Sequence, residues 1–238
     1  MNVHIATTKQ DVAQEFSKFL ASLIASKSEV HIALSGGSTP KIVFDHLAEA
    51  YGETIDWTKV HLYWGDERCV DPTSDESNYK MTVTHLLSKV SIPENQIFRI
   101  HGEDDPVGEA IRYSQILEEQ LPAPKNIPQF DLVILGMGDD GHTASIFPHE
   151  IELWKSNNYC EVAIHPESGQ RRISLTGSII NNAAHVAFLV TGASKAPKVK
   201  EIFNSTGDYK SYPASLVAPA EGELHWFMDT EAAIGINT

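Results

Sequence analysis

The sequence predicts an α/β fold: a single domain with a mainly parallel β-sheet covered by helices on both faces. Three observations predict it. Short apolar runs alternate along the chain with longer segments of helical periodicity. The apolar runs carry few polar interruptions, as strands buried on both faces require. The helical segments between them are long enough to return the chain for parallel pairing.

The elements follow in order. Residues 3–6 read as a first strand. Residues 9–26 set Val12, Phe16, Leu20, Leu23 and Ile24 on one helical face. Residues 30–34 form a second strand that runs into Ser35-Gly36-Gly37-Ser38-Thr39-Pro40. Thr39 and Pro40 are expected as N-cap and first residue of a helix reaching about Tyr51. A hydroxyl caps a free N–H there, and proline needs no N–H partner. Residues 60–64 are a strand, 78–89 and 107–121 are helices, and 97–100 form a strand between those helices. Residues 130–135 make the clearest buried strand, apolar throughout after Asp131. Strands over 172–176, 185–190 and 224–228 complete the sheet, while residues 149–170 and 204–212 show no legible pattern. Pro122-Ala123-Pro124 is a hinge-like connector without a composition shift, so residues 1–238 are read as one domain.

Composition narrows the function. The 238 residues include 32 Asp and Glu against 18 Lys and Arg, a formal net charge of -14. That balance argues against nucleic acid or an anionic membrane as partner, because both are held by clustered Lys and Arg. The longest basic run is Arg171-Arg172. A globular chain of this size exposes ~10,600 Å² and buries roughly 72% of its unfolded surface, so a core needs no staples. Cys69 and Cys160 form no CxxC and no disulfide framework, which points to a reducing cytoplasm. The first residues show no secretion signal, and no apolar run approaches the ~18 residues of a membrane span. A monomer or small homo-oligomer is expected.

Ligands of parallel sheets bind beyond the carboxyl ends of the strands. That singles out residues 35–40, 65–70, 136–148 and 191–195. Gly136-Met137-Gly138-Asp139-Asp140-Gly141 matches GxGxxG, but two acids would face the pyrophosphate and Pro148 follows too soon for the long helix. Residues 35–40 lack the Gly-Lys-Ser/Thr of a Walker A loop. They fit a smaller anion, with Gly36 and Gly37 letting the backbone approach and Ser38 and Thr39 adding hydroxyls. The bland alternative is an ordinary strand-to-helix turn. Arg68, after Asp66 and Glu67, suits a bidentate phosphate clamp, with the acids orienting it or binding hydroxyls. The alternative is a solvated ion pair. Cys69 beside it reads as a packed thiol.

Among eleven histidines, His142 has the strongest catalytic context. It follows a Gly-rich turn at the end of the best strand, with acids nearby, and imidazole titrates near neutrality. Asp139, Asp140, His142 and His149 match no justified metal spacing, and no Gly-x-Ser-x-Gly elbow is present. Arg172 opens a strand, and Lys195 follows another through Thr191-Gly192-Ala193-Ser194 near a helix start. Both are placed to hold an anion; Arg171 suits the surface.

These segments resemble the 6-phosphogluconolactonase family. The blocks are Leu34-Ser35-Gly36-Gly37-Ser38-Thr39-Pro40, Trp64-Gly65-Asp66-Glu67-Arg68-Cys69-Val70, Glu76-Ser77-Asn78-Tyr79 and the run from Gly136-Met137-Gly138-Asp139-Asp140-Gly141-His142 to Thr143-Ala144-Ser145-Ile146-Phe147-Pro148. Arg172-Ile173-Ser174-Leu175-Thr176 and Gly192-Ala193-Ser194-Lys195 fit the same family. They occur in the family's order and span most of the chain. The related glucosamine-6-phosphate deaminases and isomerases share the Gly-rich loop and the Asp-Gly-His block. They continue with an Ile-Ala-Phe-Asn-Glu-Pro type of run, whereas Ile146 or Phe147 stands here in place of their acid. The resemblance implies hydrolysis of 6-phosphoglucono-1,5-lactone to 6-phosphogluconate in the oxidative pentose phosphate pathway, with no cofactor and no metal. It implies His142, Asp66 and Arg68 as catalytic residues. Gly36, Gly37, Ser38, Thr39, Arg68, Arg172 and Lys195 would bind the substrate phosphate. The rival readings are an amino-sugar phosphate deaminase or isomerase on the same fold, and a sugar-phosphate-binding regulator without chemistry.

Overall fold

Ten strands form from these runs in the computed structural model, which describes residues 1–124 and 126–237. They are β1 (Asn2–Ala6), β2 (Val30–Leu34), β3 (Val60–Trp64), β4 (Asp66–Arg68), β5 (Ile97–Phe98), β6 (Leu132–Leu135), β7 (Cys160–Ile164), β8 (Arg171–Leu175), β9 (His185–Val190) and β10 (Glu223–Asp229). Seven make one parallel sheet in the order β1-β10-β9-β6-β2-β3-β5. Every residue of β2 and of β6 is buried, as strands covered on both faces must be. The predicted sheet is therefore present.

A second sheet was not anticipated. β4, β8 and β7 pair antiparallel, in the order β4-β8-β7. Residues 172–176, expected in the main sheet, contribute instead to this small one. Residues 65–70, expected as a loop, hold β4. Asp66-Glu67-Arg68 has no apolar pattern of its own, and only its partner β8 makes it a strand. β7 lies in the stretch 149–170 that showed no pattern.

The helices are α1 (Lys9–Ala25), α2 (Ser38–Tyr51), α3 (Asn78–Thr82), α4 (Pro106–Gln120), α5 (Gly177–Ile180) and α6 (Ala196–Asn204). Thr8 and Asp11 close a reciprocal capping box on α1. α2 starts earlier than expected. Gly37 is its N-cap at φ 111°, a conformation natural to glycine, so Thr39 and Pro40 fall inside the first turn rather than at its edge. The helix expected over 78–89 is α3 followed by a widened π turn, Val83–Leu87. Thr82 and Thr84 donate their hydroxyls to carbonyls four residues back, at 3.0 and 2.9 Å, which bends helices.

Apolar side chains from both sheets join one core, and the surface exposed is 10390 Å². Cys160 is buried and Cys69 half-buried, both as free thiols; burial pushes them up to about 12 and about 11. Among the described residues, no helix is long and apolar enough to cross a membrane.

Under α1, three histidines line the amino end of the sheet: His4 on β1, His225 on β10 and His185 on β9. Phe19 of α1 packs on His225 with ring centroids 4.8 Å apart and the rings tilted by 45°. Burial first, then the neighbouring charge of His185, lowers His225 from 6.5 to about 4. Between those values the unfolded chain binds a proton that the folded chain refuses, so stability falls as pH drops through that window. Replacing His225 with Phe should therefore flatten the fall of melting temperature between pH 6.5 and 4. An unchanged slope in the variant would contradict this.

Candidate functional site

β2, β3, β6 and β9 all end at the same edge of the parallel sheet, and the segments that follow them converge there. They enclose a pocket of about 250 Å³. That is below the ~300–1,000 Å³ typical for drug-sized ligands and suits a small polar molecule. Gly36, Gly37, Ser38, Thr39, Asp66, Arg68, His142, Arg172 and Lys195 all line it. These nine residues singled out from the sequence are thus brought to one place, while Glu67, Cys69, Asp139, Asp140, His149 and Arg171 are not among its lining residues.

The floor is the turn from β2 into α2. A side chain at Gly36 would overlap the Asn78 carboxamide, so glycine there is a packing requirement. The N-terminus of α2 presents unpaired N–H groups to the pocket. Thr39 bonds Thr191 through their hydroxyls at 2.8 Å, tying this turn to the end of β9.

The small sheet supplies the wall. Strand alternation turns Asp66 and Arg68 to one face and Glu67 to the other. Glu67 is 2% exposed, and its carboxylate accepts from Ser77 Oγ and from the backbone N–H groups of Asn78, Tyr79 and Arg68. Burial pushes its carboxyl up despite those bonds. Glu67 is therefore an anchor for the start of α3 and lies off the pocket. Register then sets Arg68 directly opposite Arg172. Arg172 is lowered from its usual value by burial first and by the charge of Arg68 second. Arg68 Nη1 donates to the Glu76 carbonyl at 2.6 Å, and its buried Nε has no partner among the described residues. The Arg172 guanidinium lies 5.6 Å over the Phe147 ring.

Asp66 holds Ser145 Oγ at 2.5 Å and receives Asn78 Nδ2 at 3.4 Å. Its carboxylate is thus committed to the loop after β6. Glu76, through its carbonyl, takes the part in orienting Arg68 that the sequence reading offered to the neighbouring acids.

That loop carries His142. The backbone N–H of His142 donates to Asp140 Oδ1 at 3.0 Å, and its Nδ1 lies 2.6 Å from the same oxygen. Burial raises the Asp140 carboxyl, but the bonds and charge of His142 outweigh it and hold it at about 2. Nε2 of His142 has no hydrogen-bond partner among the described residues. A methyl at Gly138 would run into the His142 ring, so the chain passes under the imidazole only as glycine. The ring packs on Phe147 at 4.6 Å. Thr143 Oγ1 bonds the Gly136 carbonyl at 2.8 Å and the Ser145 N–H bonds Ser174 Oγ at 3.1 Å. These pins hold Ala144 at φ 48°, a left-handed setting that costs a non-glycine residue about 1 kcal/mol or more.

Lys195 pairs with Asp139 at 2.7 Å, which lowers the Asp139 carboxyl. Asp139 therefore serves the lysine, and His149 faces Glu150 at 3.8 Å. Sequence reasoning missed the roles of Asn78, Ser145, Phe147 and Thr191. For Asn78 and Ser145 the only signal was their place inside family-like blocks.

Two arginines on paired strand positions, one lysine and a helix N-terminus are the donors that an anion would need. Arg68→Gln should weaken binding of inorganic phosphate by about 10- to 100-fold, the worth of a charged hydrogen bond (~1.5–3 kcal/mol). Lys18→Gln on the outer side of α1 should leave it unchanged. Calorimetric titration decides it, and equal affinities for both variants would contradict the assignment.

Comparison with known proteins agrees with this geometry. Residues 5–226 match the profile described as glucosamine-6-phosphate isomerases/6-phosphogluconolactonase. A 6-phosphogluconolactonase of Haemophilus influenzae is 45% identical over 85% of this chain and 86% of its own. One of Treponema pallidum is 44% identical over 82% of this chain and 81% of its own. A crystal structure of a devB protein superposes with a TM-score of 0.94 at 39% identity, over 99% of each chain.

Proposed function

The chain belongs to the family of glucosamine-6-phosphate isomerases and 6-phosphogluconolactonases, and on that footing we propose that it is a 6-phosphogluconolactonase. The reaction is hydrolysis of 6-phospho-D-glucono-1,5-lactone to 6-phospho-D-gluconate, within the oxidative pentose phosphate pathway. The observation that carries the reading is the meeting of the Asp140–His142 pair with Arg68 and Arg172 in one small pocket.

The roles follow from the geometry. Asp140 holds Nδ1 of His142, which leaves Nε2 as the basic nitrogen. Nε2 takes a proton from water as the water oxygen bonds to the lactone carbonyl carbon. When the bond from that carbon to the ring oxygen breaks, the imidazolium returns the proton to the leaving oxygen. The product carboxylic acid then ionises. Arg68, Arg172 and Lys195, with the donors of Gly36, Gly37, Ser38 and Thr39, bind the phosphate and orient the carbonyl. Asp66 acts by position, fixing the loop that carries His142 through Ser145. The free, packed thiols support a reducing, cytoplasmic setting.

The test is hydrolysis of fresh lactone, corrected for spontaneous opening, with glucosamine 6-phosphate as control. Lactone turnover without ammonia release is expected. His142→Ala should cut kcat by about 10²–10⁴-fold with KM little changed, the usual size of acid–base catalysis. Ammonia release from glucosamine 6-phosphate, or a fully active His142→Ala variant, would overturn the reading.

A further inference from the structure

We propose that the amino end of the main sheet, opposite the pocket, holds a divalent transition-metal site of the zinc class formed by Glu29, His31 and His61. β2 and β3 run in register with His31 beside His61, so both imidazoles stand on one face. Their ring centroids are 4.7 Å apart at an interplanar angle of 30°. Glu29 precedes β2 and turns back over them. Its Oε1 lies 3.1 Å from Nε2 of His31 and 3.0 Å from Nε2 of His61. All three ligand atoms lie within 4.8 Å of one another. Ligand atoms at ~2.0–2.1 Å on a tetrahedral zinc are separated by about 3.3 Å, and the Glu29 contacts at 3.1 and 3.0 Å match that spacing to within a few tenths of an ångström.

Hydrogen bonding at the site lacks a cation. Gln96 Nε2 donates to the Thr58 carbonyl at 2.9 Å and also lies 2.8 Å from Nε2 of His61. A neutral imidazole nitrogen cannot accept from Gln96 and donate to Glu29 at once. Gln96 Oε1 is buried and has no partner among the described residues. A metal ion bound to Nε2 of both imidazoles replaces their hydrogen bonds to Glu29 and leaves Gln96 to bond the Thr58 carbonyl alone.

The surroundings fit. Tyr63 hydroxyl stands 3.2 Å from Nδ1 of His31, an outer partner of the kind that orients metal-bound imidazoles. The nearby Lys27 ammonium is tied to Asp131 at 2.8 Å, which tempers its repulsion of a cation. The Glu29 side chain is 54% exposed, which leaves an entry path. Two nitrogens and one carboxylate favour zinc, cobalt or nickel over magnesium or calcium, which take oxygen ligands. β2 spans about 16 Å at ~3.3 Å per residue, so the site sits clear of the pocket and clamps β2 to β3.

The test is titration of the metal-free full chain with zinc against a chromophoric chelator, with cobalt absorption as a second readout. One zinc per chain with micromolar or tighter affinity, a raised melting temperature and an intense tetrahedral cobalt band are expected. His61→Gln, and the exposed Glu29→Gln as a variant that preserves the fold, should each weaken zinc at least tenfold. His185→Gln, in the separate His185, Glu223 and His225 group, should leave zinc binding unchanged. No saturation by about 100 µM, or affinity lost only in His185→Gln, would overturn the proposal.

Discussion

Arg68 faces Arg172 across two short antiparallel strands, and the functional end of the molecule is arranged around that pair. Like charges directly opposite on a sheet destabilise it. Burial sharpens the conflict, as the lowered Arg172 guanidinium registers. The chain nevertheless holds both in place. The Glu76 carbonyl fixes one, and Gln170 and the Phe147 ring fix the other. Behind them, buried Glu67 collects four hydrogen bonds and ties β4 to α3. The carboxylates of Asp66, Glu76 and Glu67 offset part of the repulsion, and an anion between the guanidiniums would offset more.

The placement of His142 depends on the same small sheet. Asp66 precedes Arg68 by two residues and so shares its face; it captures Ser145 of the loop that carries His142. Ser174, opposite Asp66, captures the Ser145 N–H. His142, Arg68 and Arg172 are therefore set by one pair of strands, which fixes their spacing. The parallel sheet contributes the α2 N-terminus and the loop after β6, and the pocket lies beyond the carboxyl ends of its strands, where such sheets commonly bind ligands. A body of net charge -14 thus offers one cationic pocket, built from cations distant in sequence.

Most of the main sheet was legible because strands buried on both faces are apolar, throughout in β6 and after His185 in β9. β4 was not legible, because three charged residues become a strand only when β8 lies alongside. β7 escaped for a similar reason: its burial follows no alternation, and it becomes a strand by pairing with β8. The cap of α2 was misplaced because Gly37 adopts a positive φ that composition does not reveal. The site itself was legible as types and positions: glycines, a histidine and cations at strand ends. The pairings were not. Lys195 with Asp139, Asp66 with Ser145 and Glu67 with the α3 N-terminus arise from contacts that only folding creates.

The central claim is that Arg68 and Arg172 are held side by side, against their mutual repulsion, for the sake of an anionic ligand. Thermal melting of the parent chain and Arg172→Met, each with and without 6-phosphogluconate, tests it most directly. Methionine keeps contact with Phe147 while removing the charge. The account predicts that the unliganded variant melts at or above the parent temperature, and that the rise produced by 6-phosphogluconate disappears. A variant that melts lower without ligand, yet keeps the full ligand-induced rise, would contradict it.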